Sequence, residues 1–166
     1  SGPNINVPMI LPGPFADWCY SASKKAAEFA DRESLPNQAI IAAGQHRYAW
    51  PMPEDLSEVN SAYCDAILAA HEKFPLDPDV AVLAAESMML LQPWSYWSLE
   101  GEPQERTLQF KEIVEGVLDR DPYHPGACHL YIHIMESSQT PEMAERVADR
   151  LLGLIPGAGH MVHMPS

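Results

Sequence analysis

The chain has 166 residues, 46% of them hydrophobic, with 10 Lys plus Arg against 23 Asp plus Glu and a formal charge of −13. That length and apolar content suffice for one domain with a proper core and exclude intrinsic disorder, and the acidic balance repels a phosphate backbone, which sets nucleic acid aside as a partner. The same balance favours basic peptides or metal cations, beside its ordinary role in keeping a protein dissolved.

Sixteen prolines divide the chain into segments too short for long helices, and almost none falls inside a periodic stretch. After an irregular lead over residues 1–13, the pattern predicts helices at about 15–32, 36–49, 56–74, 79–91, 104–119, 125–138 and 142–154. In the lead, Asn4, Asn6, Met9 and Ile10 read as the rim of a groove or as a tail. In the third helix Ser57 is a candidate N-cap, and Val59, Ala62, Tyr63, Ala66, Ile67, Ala70 and Phe74 recur at intervals of three and four, an apolar stripe facing a neighbour. Leu108, Phe110, Ile113, Val114, Val117 and Leu118 do the same in the fifth. No segment alternates as a strand would, so the expected class is all-α.

Cys19, Cys64 and Cys128 are odd in number and widely spaced, with no Cys-x-x-Cys, and read as small buried apolar residues rather than disulfides or thiolate ligands. No apolar run reaches the roughly 18 residues a membrane span needs, which predicts a soluble chain. The first residue is Ser1, and no basic start leads into an apolar segment, so localisation stays open.

Short helices with brief connections can pair antiparallel and stack. From Asp121-Pro122 to Ile155-Pro156 the chain takes a 34-residue step, the period of a helix-turn-helix solenoid repeat. Residues 125–156 resemble a tetratricopeptide repeat: Tyr131 occupies a large apolar position in the first helix, Ala144 the small position in the second, and Pro156 the closing proline. Ile132, Cys128 and Leu151 depart from that family's preferences for a very small residue, an aromatic and alanine, which predicts wider spacing between helices. Asp77-Pro78 looks like an earlier junction, followed 44 residues later by Pro122, and the excess over one period matches the loop 93–103. The resemblance implies one domain over residues 1–166, built of about seven helices in antiparallel pairs stacked as a right-handed solenoid.

The phrases Gly2-Pro3-Asn4-Ile5-Asn6, Gln92-Pro93-Trp94-Ser95-Tyr96-Trp97, His124-Pro125-Gly126-Ala127 and residues 156–166 are similar to those of a group of larger, uncharacterised bacterial tetratricopeptide-like proteins. This similarity implies an all-helical solenoid of which the chain is a middle fragment. It implies no activity.

Five of the seven histidines lie between residues 121 and 166. His129, His133 and Glu136 are spaced i, i+4 and i+7 and share one face of a helix, opposite the stripe of Ala127, Leu130, Tyr131, Ile134 and Ser138. In the tetratricopeptide resemblance these three positions line the concave groove. Two imidazoles one turn apart with a carboxylate suit Zn or non-haem Fe, with His160 or His163 completing the shell. Leu130 follows His129, so the His-Glu-x-x-His pattern of metalloproteases is absent. The same face suits gripping a peptide backbone or carboxylate, or satisfying carbonyls where a further helical pair docks.

His160 and His163 follow Gly157-Ala158-Gly159, and their spacing fits a ligand-bearing turn or a first helical turn in which Met161, Val162 and Met164 do the packing. His124, just before Pro125, reads as a cap, and His46 and His71 belong to no constellation. The loop 93–103 concentrates Trp94, Tyr96 and Trp97, rings that either wall a groove or bury themselves to pin the loop. No nucleophile elbow, phosphate-cradling glycine loop or paired acid and base stands out, so no catalytic residue is assigned. The expected function is a scaffold holding a protein or peptide on His129, His133 and Glu136, rimmed by Trp94 and Trp97. The alternative is a Zn or Fe site on His129, His133, Glu136, His160 and His163, with enzymatic action left open.

Overall fold

A computed structural model describes Asn4 and residues 13–164, so Asn6, Met9 and Ile10 of the lead lie outside the described residues. The described residues form eight helices and no sheet: α1 Gly13–Ala27, α2 Leu35–Arg47, α3 Ser57–Lys73, α4 Pro78–Leu91, α5 Thr107–Arg120, α6 Pro125–Met135, α7 Glu145–Leu151 and α8 Gly159–His163. Single 3₁₀ turns cover Ala30–Arg32 and Pro141–Ala144. None of these helices is long and apolar enough to cross a membrane.

Three helices begin on one device, a side-chain acceptor followed by proline in the first turn. Ser34 accepts from the Asn37 N–H at 3.3 Å, Asp77 from Val80 at 3.0 Å, and His124 Nδ1 from Ala127 at 3.2 Å. Each cap satisfies an otherwise orphaned amide and contributes about 1 kcal/mol, and proline there loses no bond it would have made. Ser57 does not cap α3. It is already the first helical residue, and its own N–H donates to Asp55 Oδ1 at 2.8 Å, so the aspartate two residues upstream takes up the amide. The helix expected at 15–32 stops at Ala27, because Phe29 and Arg32 bond three residues back, with Lys25 and Arg32 over the Phe29 ring.

The chain divides into two compact units between Pro93 and Trp94. In the first, α1 packs on α2, α2 on α3 and α3 on α4. Ala43, Tyr63, Ile67, Ala70, Val80 and Ala84 form its core, the predicted α3 stripe meeting small residues from both sides. Such alanines let helix axes approach closely. A half-hidden ion pair of Arg47 with Glu86 at 3.5 Å, with the guanidinium 4.6 Å from the Tyr63 ring centre, ties α2 to α3 and α4.

In the second unit α5 packs on α6 and α6 on α7. Phe110, Val114, Val117, Ile134 and Leu151 are essentially fully buried. α6 is apolar nearly all round, with every residue from Leu130 to Met135 buried, because the loop before α5 covers the side that the sequence left polar. That loop is held at several points. Tyr96 is 1% exposed and meets Phe110 edge-on at 5.3 Å, and its carbonyl accepts from Gln104 N–H at 2.8 Å and from Thr107 Oγ1 at 2.7 Å. These bonds hold residues 104–106 in the loop, so α5 starts at Thr107 rather than at 104. At the tip, Gly101 takes φ +85°, where a Cβ would collide with the Gln139 side chain, whose amide donates to the Glu100 carbonyl.

Candidate functional site

The second unit brings three imidazoles to one point. His129 and His133 stand one turn apart on α6, and the Gly157–Gly159 stretch turns the chain so that His160, in the first turn of α8, faces them. His133 Nε2 lies 3.1 Å from His129 Nε2, and His129 Nε2 lies 3.0 Å from His160 Nε2. One ligand nitrogen from each ring falls within 4.8 Å of the other two. The ring centres are 4.7, 5.0 and 6.0 Å apart. His133 is buried, His129 half-buried and His160 exposed, so the cluster has a dry side and a wet side.

Glu136 does not point to the common point. Its Oε1 lies 2.8 Å from His133 Nδ1. A carboxylate only accepts, so Nδ1 carries a proton and donates; in the neutral tautomer that binds metal, the Nε2 lone pair is then aimed at His129. The consequence is a hydrogen-bonding conflict. His129 Nε2 offers either one proton or one lone pair, and it faces two other ring nitrogens at bonding distance. With a lone pair it repels that of His133, and with a proton it must divide it between two acceptors. A cation at the centre satisfies all three at once.

The electrostatics favour neutral rings at His129 and His160. Burial, and then the proximity of His133 and His160, hold His129 down to about 3. His160 is also lowered, by partial burial and then by His133 and His163. Rings kept unprotonated present lone pairs, the form in which imidazole binds metal.

Trp94 closes one side of the cluster, its ring edge-on to His133 with centres 5.3 Å apart and 48% of the residue exposed. Its backbone takes φ +63°, a left-handed conformation that bulky residues rarely adopt. Trp97 does not join it: its Nε1 donates to the Ile134 carbonyl at 2.7 Å, tying the loop to the last turn of α6. His163 is exposed and outside the triad, and His124 is the α6 cap. Cys128 is fully buried with its thiol pushed up by burial, and its Sγ donates to the Pro122 carbonyl at 3.6 Å, the surroundings of a packing residue rather than a nucleophile.

Of the residues singled out in the sequence, the structure therefore unites His129, His133 and His160, attaches Glu136 through His133 and sets Trp94 beside them. The burial of His133 was not visible in the helical pattern, because its cover comes from a loop rather than a helix. Tyr96 was one of the three loop rings the sequence singled out, and the structure gives it, at 1% exposed, the role of pinning the loop, while Trp94 stays half-exposed. No protein-family model, curated protein or solved structure matches the chain.

Proposed function

We propose that the second unit is a metal-binding module that holds one divalent transition metal, zinc first, on the Nε2 atoms of His129, His133 and His160. The observation that carries this reading is the convergence of three Nε2 atoms with adjacent separations of 3.0 and 3.1 Å. Three nitrogens around an ion at about 2.0–2.1 Å stand about 2.8–3.4 Å apart, the range between octahedral and tetrahedral angles. Only the His133–His160 pair needs to close further. An all-imidazole set suits Zn, Fe, Cu and Ni, and availability and a tetrahedral preference favour Zn. Glu136 supplies the outer carboxylate that fixes the ring and tautomer of a ligating histidine.

The fold setting we propose is the right-handed tetratricopeptide-like solenoid, with α6 and α7 as one repeat and α8 opening the next. Supporting it are the packing of helices on their sequence neighbours and the 34-residue step from Pro122 to Pro156. His160 then belongs to a neighbouring repeat, and metal binding staples two repeats together.

Element analysis of untagged protein purified without chelators tests the metal reading. About one equivalent of zinc or iron is expected, and none in His133→Ala. Retention of metal by that variant rejects the site.

A protein or peptide partner is a second reading, favoured by an open groove of about 350 Å³ lined by Glu115, Asp119, Tyr131, Met143, Arg146 and Arg150. Its lining carries both acidic and basic side chains, which can accept from the amides and donate to the carbonyls of a bound peptide. Peptide binding there is lost in Arg150→Glu and indifferent to His133→Ala.

A further inference from the structure

We infer that the metal on His129, His133 and His160 keeps an open coordination position that accepts a carboxylate, and that a ligand with a flat apolar body seats that body against Trp94. This rests on the metal reading above and specifies what the centre binds.

The donor count comes first. Structural zinc sites are closed by four protein ligands, whereas sites that act on a ligand keep three and leave one position free. Among the described residues, no fourth His, Cys, Asp or Glu joins the three histidines. Glu136 is engaged by His133 Nδ1 and oriented away from the common point. Charge comes second. Three neutral imidazoles leave the whole +2 of the ion uncompensated, so an oxyanion at the open position gains the attraction that a ligating aspartate or glutamate would otherwise have used up. Access comes third: His160 is exposed while His133 is buried, so solvent reaches the cluster from the His160 side.

Trp94 supplies the second half. The loop is already pinned by Tyr96 in the core and by Trp97 on the Ile134 carbonyl, so Trp94 is not needed to hold it. Yet its backbone takes φ +63°, and the resulting pose sets the indole in a T-shaped contact with the His133 ring while about half of the residue meets solvent. A half-exposed indole beside a Lewis-acidic ion is a surface for a flat apolar group whose anionic end reaches the metal.

The test uses Co²⁺ as the metal, because its visible absorption reports changes in its ligands, with acetate and benzoate as probes. Both anions are expected to change the spectrum of the Co²⁺ protein, and benzoate to bind about tenfold more tightly than acetate, the advantage of covering a ring face. In Trp94→Gly, whose new residue adopts φ +63° freely, Co²⁺ and acetate still bind and the benzoate advantage disappears. Trp94→Asn, which also tolerates that backbone, serves if the glycine variant does not fold. If Co²⁺ binds but neither anion alters its spectrum, the open position is refuted and the metal reading stands. Equal affinity for the two anions, or a benzoate advantage that survives loss of the ring, refutes the role of Trp94. Failure of Co²⁺ to bind removes both readings.

Discussion

Glu136→Gln is the most discriminating substitution at the cluster, because it alters no ligand atom and only one hydrogen bond. The carboxylate accepts from His133 Nδ1 at 2.8 Å and makes the opposite ring nitrogen a better electron donor. Loss of such an outer partner costs roughly 10- to 100-fold in metal affinity. Here the Glu136 side chain is 46% exposed, so solvent screens its charge, and the amide oxygen of glutamine can still accept from Nδ1. The expected loss is therefore at the lower end, about tenfold or 1.4 kcal/mol. Competition for Zn²⁺ against a chromophoric chelator measures it. Because Glu136 ends α6 at an exposed position, the metal-free stability of the variant should stay within about 0.5 kcal/mol of the parent. Unchanged zinc affinity would refute the orienting role. A loss as large as that of His133→Ala would instead make Glu136 a direct ligand.

Three further outcomes follow. His160→Ala should weaken Zn²⁺ binding by roughly a hundredfold or more, taking one quarter of the 10–16 kcal/mol typical of a four-ligand zinc site, while His163→Ala changes it less than twofold; the same chelator competition decides, and a reversed order would exchange the two histidines. In metal-free protein the His129 pKa lies at about 3, below its ordinary 6.5, so the unfolded chain binds a proton across that window that the folded chain does not; acidification through it therefore removes stability, by at most about 1.4 kcal/mol per pH unit. Urea unfolding of parent and His129→Gln between pH 7 and 4 should show a shallower loss in the variant, and equal slopes would contradict the assignment. Phe110→Ala empties a fully buried site against Tyr96 and should cost about 3–5 kcal/mol in denaturant unfolding, with a loss under 1 kcal/mol showing that the loop does not depend on that ring pair.

Proline placement and apolar spacing made the helices legible: α3, α4 and α6 begin within a residue or so of where Ser57, Pro78 and Pro125 predict. Boundaries failed where side chains or carbonyls outside the helix competed for its terminal amides, as Asp55 does at Ser57 and Tyr96 at residues 104–107. The i, i+4 spacing of His129 and His133 was enough to place both rings on one face. What it could not give was the third dimension, since the arrival of His160 depends on how the Gly157–Gly159 turn leaves α7. The place of Glu136 was illegible for a related reason: i+7 from His129 suggested a shared target, and i+3 from His133 also brings its carboxylate to that ring's other nitrogen.

Long-range ¹H–¹⁵N NMR of the histidine rings, recorded before and after one equivalent of Zn²⁺, addresses the central claim residue by residue. Nε2 of His129, His133 and His160 should move to the metal-bound range together, with the proton of His133 kept on Nδ1, while the rings of His46, His71, His124 and His163 do not shift. Rings of the triad that stay put at saturating Zn²⁺, or a shift confined to the other four, would contradict it.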